Sequence, residues 1–129
     1  MSGTILIIDD DQRLCEEMKE VLAAEGYHAH WCCNGEEGLV YLEKGNFDLL
    51  LLDLKLPGLS GMEILERAKT RNPALRVIVL TGSPLHSIGQ GVAAYEDEGN
   101  APLDLADTVL NKPFRINALL SCIRETIRT

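Results

Sequence analysis

The chain has 129 residues, 46% of them hydrophobic and 25% charged, and a formal net charge of −8. That length suits one domain over residues 1–129, with a core that needs no disulfide or metal to hold it. The acidic balance excludes a basic surface for direct nucleic-acid binding, because phosphate repulsion would go uncompensated. The first element is the β-branched apolar run Thr4-Ile5-Leu6-Ile7-Ile8, which predicts a buried strand and is followed by Asp9-Asp10-Asp11. Leu14, Met18, Val21 and Leu22 then recur at helical spacing, and Gly26 stops that helix. Tyr27 to Cys33 reads as the second strand, Asn34-Gly35 as a turn, and Glu36 to Lys44 as a helix carrying Leu39, Val40 and Leu42.

The third strand runs from Asp48 to Asp53 through four consecutive leucines, the pattern of a strand covered on both faces. Ser60 and Glu63 form a capping-box pair for a third helix, with Met62, Leu65 and Ala68 inward and Asn72-Pro73 at its end. Leu75 to Leu80 is the fourth strand, Thr108 to Leu110 a short fifth, and Ile116 to Ile127 a last helix. Between the last two strands, residues 85–107 fit the pattern least. A helix within Gln90 to Glu98 is expected there, as an irregular, extended fourth-helix region. Gly89-Gln90-Gly91-Val92-Ala93-Ala94 has dinucleotide-fingerprint letters but does not directly follow a strand, which the motif requires. Strands alternating with helices at these lengths mean parallel βαβ units. The expected fold is therefore α/β: a single flavodoxin-like, doubly wound five-stranded parallel sheet of order 2-1-3-4-5, with helices on both faces.

The remaining residue types are mostly structural in this reading. Cys15, Cys32, Cys33 and Cys122 show neither CxxC nor zinc-type spacing. They read as small buried hydrophobes in a reducing compartment. His28, His30 and His86 read as structural or surface residues, and Asp11 as the cap of the first helix. With no signal peptide and no apolar run of bilayer length, a cytoplasmic location away from the membrane is expected.

Parallel strands all end on one edge, and that edge collects the chemistry. Asp9 and Asp10 follow strand one, Asp53 ends strand three, Thr81 follows strand four, and Lys112 follows strand five. Strands one and three flank the switch point of a 2-1-3-4-5 sheet, where such folds bind ligands. Carboxylates so close repel one another unless a cation intervenes. Mg²⁺ suits them, since it binds through a few carboxylates, keeps several waters and accepts phosphate oxygens. Adding a hydroxyl and a lysine gives the parts for phosphoryl transfer, with a carboxylate as nucleophile.

With these residues in view, the chain resembles the receiver domain of two-component response regulators. The carriers are Ile5 to Asp11, Asp48 to Gly61 around Asp53, Val77-Ile78-Val79-Leu80-Thr81-Gly82, and Leu110-Asn111-Lys112-Pro113-Phe114. The resemblance implies that Asp53 accepts a phosphoryl group from a phosphohistidine, on a sensor histidine kinase or phosphotransfer protein. It implies Mg²⁺ held by Asp10, Asp53 and the backbone carbonyl of Lys55, with Asp9 supporting through water. Thr81 and Lys112 would contact phosphoryl oxygens, and Gly82 would leave access to the acyl phosphate. A cis Lys112–Pro113 bond is also implied. Such a domain is not an enzyme in its own right, though it assists its own phosphotransfer and autodephosphorylation. Its output would reach a downstream effector or output domain, and a homodimer is among the family's options.

Three positions depart from the pattern. Val109 stands where the family usually carries a switch aromatic, three residues before the lysine. The stretch from Thr81 to Lys112 is longer than the family's usual connection. Lys55 and Ser83 occupy two positions that tune attack of water on the phosphoryl group, and Lys55 is expected to slow dephosphorylation. The alternative is a receiver-like module that signals by protein contact without phosphate. A stand-alone phosphatase would favour a DxD pattern, and Asp53 is followed by Leu54-Lys55. Whether an output domain follows residue 129 is left open.

Overall fold

A computed structural model describes residues 3–82 and 105–128. In chain order the elements are β1 (Thr4–Ile8), α1 (Gln12–Ala24), β2 (His28–Cys32), α2 (Gly35–Lys44), β3 (Leu49–Asp53), α3 (Gly61–Arg71), β4 (Arg76–Thr81), β5 (Thr108–Asn111) and α4 (Ile116–Arg128). The strands form one sheet of order β2-β1-β3-β4-β5, and every pairing is parallel. The helix expected within Gln90 to Glu98 lies outside the described residues. Among the described residues, no helix is long and apolar enough to cross a membrane.

Period-two alternation divides the central strands between two cores. Ile5, Ile7, Leu49, Leu51, Ile78 and Leu80 face one side, where Cys15, Met18 and Leu22 of α1 and Leu119 and Ile123 of α4 cover them. Leu6, Ile8, Leu50, Leu52, Val77 and Val79 face the other, against Ile64, Leu65 and Ala68 of α3. The four leucines of β3 are fully buried because both faces of that strand are roofed.

Several details differ from the sequence reading. Gly35 begins α2 instead of turning ahead of it, and Asn34 is its cap, accepting a hydrogen bond from the Glu37 amide at 2.8 Å. Val40 does not face inward: it is 47% exposed, while Gly35 and Gly38 are buried. The helix meets the sheet through its glycines, and two residues past Gly38 is a rotation of roughly 200°, which turns Val40 to solvent. Ser60 caps α3, accepting from the Glu63 amide at 3.2 Å. The Glu63 carboxylate is turned to Arg67 at 2.7 Å, so an i,i+4 ion pair replaces the return half of the capping box. The inner face of α3 also includes Ile64, and Met62 is only half-buried. Gly26 ends α1 as expected, with φ +93°.

Candidate functional site

The exits of β1, β3, β4 and β5 converge at the carboxyl edge. Asp9, Asp53 and Thr81 are almost wholly buried there, and Asp10 is exposed beside them. Carboxylate oxygens of Asp9, Asp10 and Asp53 lie within 4.8 Å of one another. Lys112 reaches into the group: its Nζ donates to Asp9 Oδ2 at 2.6 Å and lies 3.6 Å from Asp53 Oδ2. The residue 103 positions earlier in sequence is thus its nearest carboxylate partner.

Backbone amides fix the two buried carboxylates. The Asp11 amide donates to Asp9 Oδ1 at 2.9 Å, and the Lys55 amide donates to Asp53 Oδ1 at 3.1 Å. Asp53 Oδ2 is left on the lysine side. Asp11 itself is the cap of α1, its side chain accepting from the Leu14 amide at 3.1 Å. The Cys15 thiol points to the Asp9 carbonyl at 3.4 Å, a contact that helical spacing alone does not reveal. Burial pushes the Cys15 thiol up to about 12, which keeps it an inert neutral group.

The electrostatics follow from three carboxylates facing one ammonium. Burial pushes the Asp53 carboxyl up to about 6, with Asp9 and Asp10 adding to the rise, while the Lys55 amide and Lys112 oppose it. Burial works against the charged form of Lys112, but the hydrogen bond to Asp9 and the charges of Asp9 and Asp53 outweigh it and raise its pKa. Lys112 is therefore a permanent cation here. One more positive charge would relieve Asp53, and the all-oxygen donor set, open at Asp10, fits a hard divalent ion such as Mg²⁺.

Around this centre, Gly82 is exposed, and a methyl group placed on it would meet no atom of the described residues within 4 Å. The Lys55 side chain is exposed at the head of the β3–α3 loop. The Lys112 amide donates to the Thr81 carbonyl at 2.7 Å, tying the β4 and β5 exits together, and the Lys112–Pro113 bond is cis. Val109 lies in β5, 37% exposed. Ser83 and His86 lie outside the described residues. His30 is exposed on β2, with its ring 6.2 and 5.9 Å from those of Tyr41 and Phe47 between centres.

Comparison with known proteins agrees with this arrangement. The family model for the response regulator receiver domain matches residues 5–124. The chain belongs to the response regulator receiver domain family. It is 37% identical over 127 residues to the Bacillus subtilis (strain 168) protein named uncharacterized transcriptional regulatory protein YkoG, covering 98% of this chain and 51% of that one. It is 33% identical over 125 residues to the transcriptional regulatory protein DltR of Streptococcus agalactiae, again over 51% of the relative. The receiver domain thus spans about half the length of these curated relatives. Among solved structures, a CheY-like receiver domain protein from Methanospirillum hungatei JF-1 superposes with a TM-score of 0.82 at 31% identity, over 99% of this chain and 95% of that one. The response regulator TrrA from Thermotoga maritima, in complex with Mg(2+)-BeF, gives 0.80 at 29% identity, over 95% and 97%. The chain is accordingly a receiver domain of the two-component systems.

Proposed function

We propose that Asp53 is the phosphoacceptor of a two-component relay. The carrying observation is the convergence of Asp9, Asp10 and Asp53 within 4.8 Å, with the Lys112 ammonium 3.6 Å from Asp53 Oδ2. In the transfer step a carboxylate oxygen of Asp53 attacks phosphorus, the P–N bond of a phosphohistidine breaks, and the freed imidazole leaves as the neutral base or takes up a proton. Asp53 Oδ2 is the attacking atom, because Oδ1 is engaged by the Lys55 amide. Lys112 and the Thr81 hydroxyl receive the phosphoryl oxygens, and the exposed Gly82 leaves the approach open. Mg²⁺, held by Asp10, Asp53 and the Lys55 carbonyl with Asp9 behind them, would neutralise charge building on the phosphoryl oxygens. Catalysis here is positioning, by the fixed Asp53 carboxylate and Lys112, and charge compensation, which the cation would complete.

The donor is a sensor histidine kinase or phosphotransfer protein, and the acyl phosphate alters contacts with an output domain or effector in the cytoplasm, as monomer or homodimer. Lys55 and Ser83 modulate the lifetime of the phosphoryl group, with Lys55 slowing water attack. A second reading, a module that signals by contact without phosphate, is favoured by one observation: Val109 stands exposed in β5 where a switch aromatic is usual.

The deciding experiment is radiolabel transfer from acetyl phosphate or a cognate kinase in the presence of Mg²⁺, with Asp53→Ala as control. Label on the wild type that is lost in the variant supports the phosphoacceptor. Equal labelling would place the phosphoryl group on another residue and reject Asp53; no label on the wild type, together with amide shifts unmoved by beryllofluoride and Mg²⁺, favours the contact module. Phosphoryl decay in Lys55→Asn then tests the lysine: faster loss is expected, and an unchanged rate rejects its role.

A further inference from the structure

The first residue of α3 touches the backbone of the phosphoacceptor itself. Gly61 is buried, and its amide donates to the Leu54 carbonyl at 3.2 Å. A methyl group added there would lie 2.5 Å from the Asp53 carbonyl oxygen, 2.5 Å from Leu54 Cα and 2.9 Å from the Leu54 carbonyl oxygen. All three are backbone atoms, so no change of rotamer relieves the overlap. Either α3 moves out or the exit of β3 moves.

This approach closes the loop of residues 54–60 onto the strand that launches it. Ser60 caps α3, Gly61 folds its amide back onto Leu54, and the Leu54 amide reaches across to the Leu80 carbonyl at 3.3 Å. Lys55, whose amide holds Asp53 Oδ1 at 3.1 Å, is the first residue inside the closed loop. We infer that Gly61 is a positioning residue for the phosphoacceptor: its lack of a side chain lets α3 set the Lys55 backbone, which orients the Asp53 carboxylate and presents the Lys55 carbonyl to the cation. The part concerning the cation rests on the proposed function; the part concerning the Lys55 amide does not.

Helix propensity and this inference predict opposite outcomes for Gly61→Ala, since alanine favours helix over glycine by about 1 kcal/mol. The test compares wild type, Gly61→Ala and Leu65→Ala, the last a fully buried residue of the same helix whose truncation loosens α3 from the core it shares with β3 but adds no atom against the backbone at the β3 exit. Two quantities are measured well below every unfolding midpoint: Mg²⁺ affinity by titration calorimetry, and hydrogen exchange of the Lys55 amide without metal. Gly61→Ala should weaken Mg²⁺ binding about ten- to a hundredfold, the scale on which second-layer supports act, and speed Lys55 exchange. Leu65→Ala should lower the midpoint yet keep both quantities within about twofold of wild type. The inference is overturned if Gly61→Ala matches wild type in both, or if Leu65→Ala reproduces its losses. Ser60→Ala weakens the same helix start without adding an atom and serves if Gly61→Ala does not fold: faster Lys55 exchange supports the inference, and unchanged exchange overturns it. A wild type that takes up no Mg²⁺ would count against the phosphoacceptor, while Lys55 exchange would still decide the role of Gly61.

Discussion

The two edges of the sheet use aspartate in opposite ways. At the amino edge, Asp48 accepts from the Thr4 amide at 2.8 Å, and Asp107 accepts from the Val77 amide at 2.7 Å with Arg76 and Lys69 at 3.6 and 4.0 Å. Each of these carboxylates has a donor of its own and pins the start of a strand. At the carboxyl edge, three carboxylates share one lysine, two of them with almost no access to water. The residue type is the same; the count of compensating charges differs. An edge whose charges are matched serves as an anchor, and an edge short of one cation is suited to take one up.

Lys112→Met should break this contrast most severely. It leaves Asp9 and Asp53 buried without their ammonium, a loss of about 3 kcal/mol on the scale of broken buried pairs. Chemical denaturation should show Mg²⁺ restoring part of that stability, because the ion binds only the folded chain. A variant as stable as wild type without Mg²⁺ would mean that the lysine was not offsetting the carboxylates.

Asp53→Asn should act in the other direction. The Asp53 carboxyl rises from 3.8 to about 6 on folding, chiefly through burial. Between those values the folded chain keeps a proton that the unfolded chain has released, so stability from this group falls as pH rises through that window. At pH 7 without Mg²⁺ the ionised group costs up to about 3 kcal/mol. Denaturant titrations at pH 3.5, about 5 and 7 should show the gap between variant and wild type widening as pH rises; a gap independent of pH would place the strain elsewhere.

The amino edge gives the smaller effects. Asp107→Ala orphans the buried Val77 amide and should cost about 1–3 kcal/mol. Because it is an anchor, Mg²⁺ affinity should stay unchanged in calorimetry, and a lowered affinity would blur the distinction between the edges. Smallest is Asp11→Ala, which removes the α1 cap at a cost of about 1 kcal/mol while keeping the Asp11 amide on Asp9; the unfolding midpoint should drop and the Mg²⁺ titration should overlay the wild type.

Much of the fold was legible because burial writes a local pattern. The leucines of β3 and the isoleucines of β1 announce strands covered on both faces, and Ser60 and Asp11 announce helix starts. The inner face of α2 was read in part. Leu39 and Leu42 do pack against the core, but Val40 does not, and the closest approach is made by Gly35 and Gly38, residues with no side chain to signal the contact. Gly61 escaped for the same reason. Its role is an absence of atoms, visible only beside the backbone it approaches.

The sequence by itself determined which residues reach the carboxyl edge. Strand ends are local features, and parallel strands share a direction, so Asp9, Asp10, Asp53, Thr81 and Lys112 could be gathered without coordinates. Only the tertiary structure decided how they partition: Lys112 on Asp9 at 2.6 Å and farther from Asp53, one Asp53 oxygen tied to an amide and the other facing the lysine. Those distances depend on how β5 packs against β4 and how closely α3 meets β3. Periodicity reports which way a side chain points, and only the packing of distant segments fixes which atom it meets.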